Sequence, residues 1–304
     1  MIKKAGITIL FICVLALCGC GSGSDGAESL KEKPGFEYAK KSIHKVNGRQ
    51  GVCAEGDSYW VSGSATLTRY DRNWKVVKEN KNPFEGISME VNHIGDIDVY
   101  NNDLYVGVEY FMDGVGKNIQ IAVYDGDSLK LKRVFPFRTD TKQQECSGIA
   151  VDPESGTVYM TSWIDDDSSR SIYMYDLESG DFKGRMRMDP APEWVQGIAC
   201  YDGGLFVTSD DGNADEDEPD HMYRIVMDDE KKVGTVTLEK TFDDVTRQGE
   251  IEGLTFDKKN NQFLLLYNRG AIIRNGMPTG FYPGYNEEIS EVFVYDIKSV
   301  EQSV

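Results

Sequence analysis

Gln50-Gly51-Val52-Cys53-Ala54 is answered four times along the chain, by Gly95-Asp96-Ile97-Asp98-Val99, Ser147-Gly148-Ile149-Ala150-Val151, Gln196-Gly197-Ile198-Ala199-Cys200 and Glu252-Gly253-Leu254-Thr255-Phe256. Their second residues stand at 51, 96, 148, 197 and 253, a period of about 50 residues. Each opening is followed by an apolar run such as Tyr59-Trp60-Val61 or Val158-Tyr159-Met160. A third run follows. In four of the repeats it ends in Tyr-Asp: Tyr70-Asp71, Tyr124-Asp125, Tyr175-Asp176 and Tyr295-Asp296. β-Branched and aromatic runs with turn residues between them are strands. Repeats of this length built from short strands predict an all-β chain, a β-propeller of four-stranded blades.

Four repeats continue into a fourth strand, at 75–79, 131–137, 182–188 and 233–242. After Tyr295-Asp296 only eight residues remain. Residues 37–46 precede the first opening and fit no complete blade. They are expected to supply the missing outer strand of the last blade, closing the ring and removing a sheet edge. This gives five blades. A sixth would need a concealed repeat within 79–95 or 266–291.

The first residues lie outside this pattern. Lys3 and Lys4 precede an apolar stretch from Ile7 to Leu17 that is too short to span a bilayer. It ends in Leu17-Cys18-Gly19-Cys20, which resembles the lipobox of bacterial lipoproteins. The resemblance implies a signal peptide over 1–19, an acylated Cys20, a Gly/Ser tether over 20–36 and a single domain over 37–304. It implies a protein of the bacterial cell envelope, anchored by lipid on the extracytoplasmic side of a membrane. Cys53, Cys146 and Cys200 remain in the repeats and are read as core or near-core thiols.

The chain carries 33 Lys and Arg against 51 Asp and Glu, a formal net charge of -18. Such a surface repels a phosphate backbone and excludes nucleic acid as a partner. With three histidines and no close pair of them, a zinc centre built on imidazoles is not expected. No Gly-rich phosphate loop, serine elbow or cysteine redox pair points to a cofactor.

In a propeller, the segments that lead into the inner strands rim the central channel, which is the natural place for a ligand. Those positions hold Gln50, Ser147, Gln196 and Glu252, with His93, Glu145, Trp194 and Glu250 two residues before the openings. Glu145, Ser147 and Glu252 offer oxygens suited to a hard cation such as calcium. The second repeat departs most from the others. Asp96 stands where the rest have Gly, and Asp98 where they have Ala, Thr or Cys. With His93 and Glu109, these two form the candidate acid–base set. The loop bearing Asp211, Asn213, Asp215 and Asp217 has part of the spacing of a calcium loop, without its Gly and final Glu. The segment 268–288 is long enough to cover one mouth.

The blade motifs resemble the broad YncE-like and gluconolactonase-like propellers. Ile251-Glu252-Gly253-Leu254-Thr255-Phe256-Asp257 also looks like a blade of the esterase-like and SdiA-regulated group. In some such families a channel glutamate binds calcium, and Glu252 is the position the resemblance carries over. The expected function is a lipid-anchored propeller that binds a small ligand, glycan or extracytoplasmic protein. The alternative is a calcium-dependent hydrolase of a phosphoester, ester or lactone at the channel.

Overall fold

The computed structural model describes residues 34–136, 139–164, 167–216, 218–245 and 248–300, and the regular elements in them are all strands. The signal segment, Cys20 and residues 21–33 of the tether lie outside the described residues.

In chain order the strands are β1 (Phe36–Lys45), β2 (Val52–Glu55), β3 (Ser58–Gly63), β4 (Thr66–Asp71), β5 (Val76–Asn80), β6 (His93–Tyr100), β7 (Asp103–Met112), β8 (Val115–Asp125) and β9 (Leu131–Val134). There follow β10 (Gly148–Asp152), β11 (Thr157–Thr161), β12 (Ser171–Asp176), β13 (Phe182–Asp189), β14 (Val195–Tyr201), β15 (Gly204–Ser209), β16 (His221–Asp228) and β17 (Val233–Thr241). The last are β18 (Gly249–Asp257), β19 (Gln262–Arg269), β20 (Ala271–Arg274), β21 (Met277–Phe281) and β22 (Ile289–Ser299).

Antiparallel pairing groups these into β2–β5, β6–β9, β10–β13, β14–β17 and a last set in the order β18-β19-β22-β1. The outer strands β13 and β17 also pair, in parallel, from Arg187↔Val233 to Asp189↔Thr235. The first strand of each set touches its neighbours in turn, and β18 returns to β2. The expected closure is present: β1 pairs antiparallel with β22 from Phe36↔Ser299 to Lys45↔Glu291. Glu239 fastens the start of β1, accepting from Gly35 N at 2.9 Å and Phe36 N at 3.0 Å.

The core is divided among the faces between successive sets. Leu67, Ile94 and Tyr124 join the first to the second. Tyr105, Ile149 and Tyr173 join the second to the third, and Tyr159, Ile198 and Ile225 the third to the fourth. Phe206, Phe242 and Phe263 join the fourth to the last. Val52, Tyr70 and Leu264 bring the last set back to the first. Every sheet is therefore apolar on both faces, which explains strands that read as nearly continuous apolar runs. A fully buried side chain such as Phe263 contributes about 1.5–3 kcal/mol. The architecture is a β-propeller.

The Tyr-Asp ending has two separate physical causes. Asp71, Asp125 and Asp176 accept amides of the following turn, from Asn73, Ser128 and Ser179 among others, at 2.8–2.9 Å. The tyrosine hydroxyls reach the linker that leads into their own set. Tyr70 accepts from Asn47 N at 2.6 Å, while Tyr124 donates to Pro83 O at 2.6 Å. Tyr175 donates to Gln143 Oε1 at 2.7 Å and Tyr295 to Asp244 Oδ1 at 3.2 Å. The repeat thus fixes where each linker crosses to the axis.

Candidate functional site

Because the linkers are pinned, the residues opening the inner strands converge on one end of the axis. A small inner cavity there, about 40 Å³, is lined by Arg49, Gln50, His93, Phe111, Glu145, Ser147, Trp163, Gln196, Glu250, Glu252 and Gly276. An outer cavity of about 390 Å³ shares Trp163, Glu250 and Gly276 with it and adds Trp194, Asp210, Ile273, Arg274 and Asn275. The inner space holds a water or two; the outer one is the size of a small-molecule site. Part of the cover is the hairpin β20–β21, inside the 268–288 segment. Its turn residue Gly276 has φ 70° and lies so close to the Phe111 ring that an added Cβ would come within 2.6 Å of it.

The floor is a hydrogen-bonded chain. With its amide oriented to satisfy its neighbours, Gln50 donates to His93 Nε2 at 3.1 Å and to Ile94 O at 3.2 Å. His93 Nε2 is then an acceptor, so the ring proton sits on Nδ1, which donates to Glu109 Oε1 at 3.1 Å. Burial, with Arg49 nearby, pushes the His93 pKa down to about 4, and the ring is neutral. Glu109 Oε2 accepts from Cys146 N at 3.2 Å, and Glu109 and Glu145 are hydrogen-bonded to each other. Trp163 N donates to Glu145 Oε2. Burial pushes both carboxyls far above the usual carboxylate range, and Glu109 raises Glu145 further. The two glutamates behave as one unit holding a proton. Glu109 accepts from His93 and Cys146, Glu145 accepts from Trp163, and Glu145 is the member that lines the cavity.

Opposite this pair lies a second carboxyl group. Arg49 bonds Glu250 at 2.7 Å and Glu288 at 3.0 Å, and stands 3.6 Å from Glu252. Asn268 Nδ2 donates to Glu252 Oε1 at 2.9 Å. Burial pushes Glu250, Glu252 and Asp210 upward, and for Asp210 and Glu252 neighbouring carboxylates add to the shift.

The structure divides the four residues of the sequence-derived acid–base set. His93 and Glu109 belong to the floor. Asp96 does not reach it: its fully buried carboxyl lies deeper on the axis, accepting from Ile97 N at 2.8 Å and Ile149 N at 3.3 Å. Asp98 lies further along β6, accepting from Val99 N at 2.8 Å and Val151 N at 2.7 Å. It lines a separate cavity with Ala54, Cys200, Thr255 and Lys258 at the far ends of the inner strands. A strand advances about 3.3 Å per residue, so positions 93, 96 and 98 fall at successive depths.

The axial oxygens proposed for calcium are engaged by protein groups. Glu145 meets Trp163 N and Glu109, Ser147 Oγ lies 3.1 Å from Thr161 Oγ1, and Glu252 holds Asn268. Among the described residues, no three His, Cys, Asp or Glu side chains group in a metal-holding arrangement. In the acidic loop, Asp211 is turned to His221 Nδ1 at 2.8 Å and to the Tyr223 hydroxyl. Asn213 Oδ1 accepts from Asp215 N at 3.1 Å. Asp217 lies outside the described residues.

Arg49, Phe111, Trp163 and Asp210 have no role in the sequence reading. Arg49 stands beside the first opening, where its position was legible; Phe111 lies near the end of β7, and Trp163 and Asp210 just past β11 and β15, where the repeats do not align.

No family model and no curated protein sequence matches the chain. Among solved structures it is similar to the glutaminyl cyclase of Myxococcus xanthus, at 11% identity and a TM-score of 0.55, over 89% of this chain and 100% of that one. It is also similar to a gluconolactonase of Xanthomonas campestris, at 12% identity and a TM-score of 0.44, over 78% of this chain and 68% of that one. The first likeness is one of fold; the second carries no argument.

Proposed function

We propose that the chain is a lipid-anchored extracytoplasmic propeller whose axial mouth binds a small molecule and transfers protons at an ester, lactone or amide carbonyl. The supporting observation is the buried Glu109–Glu145 pair, whose Glu145 faces the cavity while His93 bonds Glu109 behind it; the shared proton is assigned to Glu145. Carboxyl groups raised in this way are suited to general acid–base work near neutral pH. Glu145 donates its proton to the carbonyl oxygen as a water adds to the carbonyl carbon, and takes a proton from that water, giving a tetrahedral intermediate. It then protonates the leaving oxygen or nitrogen as its bond to carbon breaks and takes the proton of an intermediate hydroxyl as the carbonyl re-forms, so one water is consumed and Glu145 ends protonated. Glu109 and His93 are positioning residues that hold Glu145 in its acid form. Anchoring through Cys20 is supported by the lipobox-like Leu17-Cys18-Gly19-Cys20.

The test is a turnover screen of the full chain in detergent against aryl esters, lactones, phosphoesters and, given the fold likeness, glutaminyl peptides, each with calcium and with a chelator. Turnover of one carbonyl class is expected to fall about 100-fold or more in Glu145→Gln and to be indifferent to chelation. Activity should be highest where Glu145 is protonated and fall as pH rises through its elevated pKa. Turnover unchanged in Glu145→Gln, or none at all, refutes the proposal, and a strict need for calcium would overturn it in favour of a calcium-dependent hydrolase. A second reading is a mouth that docks a glycan or protein without turnover. It is favoured by exposed Met112 and Val115 at the end of the β7–β8 hairpin, beside Asn275 of the covering hairpin.

A further inference from the structure

The outer cavity has a charge balance and a wall chemistry that the proton-transfer pair does not use. Asp210 and Glu250 line it, and Glu252 lines the inner space beneath. Arg49 is already committed to Glu250 and Glu288, with Glu252 next to it. Asp210 forms no side-chain hydrogen bond or ion pair among the described residues. Its amide is spent on Trp194 O at 3.0 Å, which ties it to the wall. Arg274 also lines the cavity, but it is exposed on the covering hairpin, where solvent screens it.

The wall is made of two indoles. Trp163 and Trp194 stand with ring centroids 4.9 Å apart and planes tilted by 46°. Trp194 holds this place with φ 51°, a left-handed conformation that bulky side chains rarely adopt. Trp163 Nε1 is buried with no hydrogen-bond partner among the described residues. Indole faces attract cations, more strongly where water is displaced, and the Asp210 carboxyl beside them, held toward its neutral form by burial and neighbouring acids, ionises against an entering cation and supplies the counter-charge.

We propose that the outer cavity takes a cationic amine, its ammonium head held between the Trp163 and Trp194 rings and the Asp210 carboxylate. The inference rests on the mouth being a ligand site and names the class of molecule that enters it. The charged head sits in the outer cavity, leaving the remainder of the ligand to face Glu145.

The experiment is calorimetry of the detergent-solubilised full chain with n-butylammonium and tetramethylammonium, using n-butanol and tert-butanol as neutral counterparts. The ammonium ions are expected to bind at least 10-fold more tightly than the alcohols. Their affinity should fall at least 10-fold in Asp210→Asn and in Trp194→Ala, fall less in Trp194→Phe, and persist in Glu145→Gln. Melting curves of each variant separate loss of the site from loss of the fold, and Trp194→Phe retains a π face should Trp194→Ala unfold. Equal binding of alcohols and ammonium ions, or ammonium binding that survives both Asp210→Asn and Trp194→Ala, overturns the proposal. Ammonium binding with no Glu145-dependent turnover would leave this inference standing and sink the proton-transfer reading. Turnover without ammonium binding would do the reverse.

Discussion

Asp96 occupies a place that glycine holds in the other four repeats, and the reason is geometric. A Cβ at Gly51 would collide with Asp96 Oδ1, and one at Gly253 would lie 2.7 Å from it. At Gly148 a Cβ would meet Ile198 N at 3.0 Å, and at Gly197 the Cα of Gly253 at 2.8 Å. Four glycines leave room on the axis for one carboxyl group, which fills it and accepts amides from its own strand and the next. Burial pushes the Asp96 carboxyl well above its ordinary pKa, so the folded state prefers the neutral form. Stability from this group is therefore fully present below the ordinary aspartate pKa and is lost as pH rises through the elevated one. Asp96→Asn should melt close to wild type at pH 5 and above it at pH 8, because the amide imitates the neutral acid. Asp96→Ala should lose about 1–3 kcal/mol for each amide left without an acceptor. Parallel melting-temperature profiles for wild type and Asp96→Asn across this range would contradict the account.

At the scale of elements, the hairpin β20–β21 is the insertion that sets this mouth apart. It leaves the last set after β19 and reaches the β7–β8 hairpin of the second. Gly276 meets Phe111, and a Cβ built on Gly114 lies 3.5 Å from that of Asn275. That separation falls within the range a disulfide bridges, roughly 3.5–4.5 Å. Gly114→Cys with Asn275→Cys should therefore crosslink under oxidation, despite about 1–2 kcal/mol for a side chain at φ 78°. With the hairpin locked, ammonium association should slow by at least 10-fold and recover on reduction. Among the described residues Cys53 and Cys146 are buried and Cys200 is half-buried, so the crosslink is made in a Cys200→Ser background. An oxidised protein that binds as fast as the reduced one would show that ligand reaches the cavity without hairpin movement.

At the scale of the molecule, β1 closes the ring that β22 would otherwise leave with an open edge, so the start of the described residues is bound into the last sheet. Gly35 and Phe36 already bond Glu239, so a tether from Cys20 would end before them. If Cys20 carries the lipid, Cys20→Ala should move the protein from the detergent-extracted membrane fraction to the soluble fraction while leaving its melting temperature unchanged. Retention in the membrane fraction would refute the anchor.

The five openings, the Tyr-Asp endings and the unpaired residues near position 40 determined the propeller and its closure, because strand period and repeat length are local properties that a linear chain displays. The same alignment placed His93, Glu145, Glu250 and Glu252 at one end of the axis, since they hold related positions in their repeats. Depth and partnership were decided only in three dimensions. Asp96 and Asp98 separated from His93 because a strand carries successive residues along the axis. Glu145 joined Glu109 because the linker that carries it into the third set runs beside β7 of the second. Trp163, Asp210 and the covering hairpin arrive on connections of unequal length, whose course is set by what they pack against and by no period in the sequence.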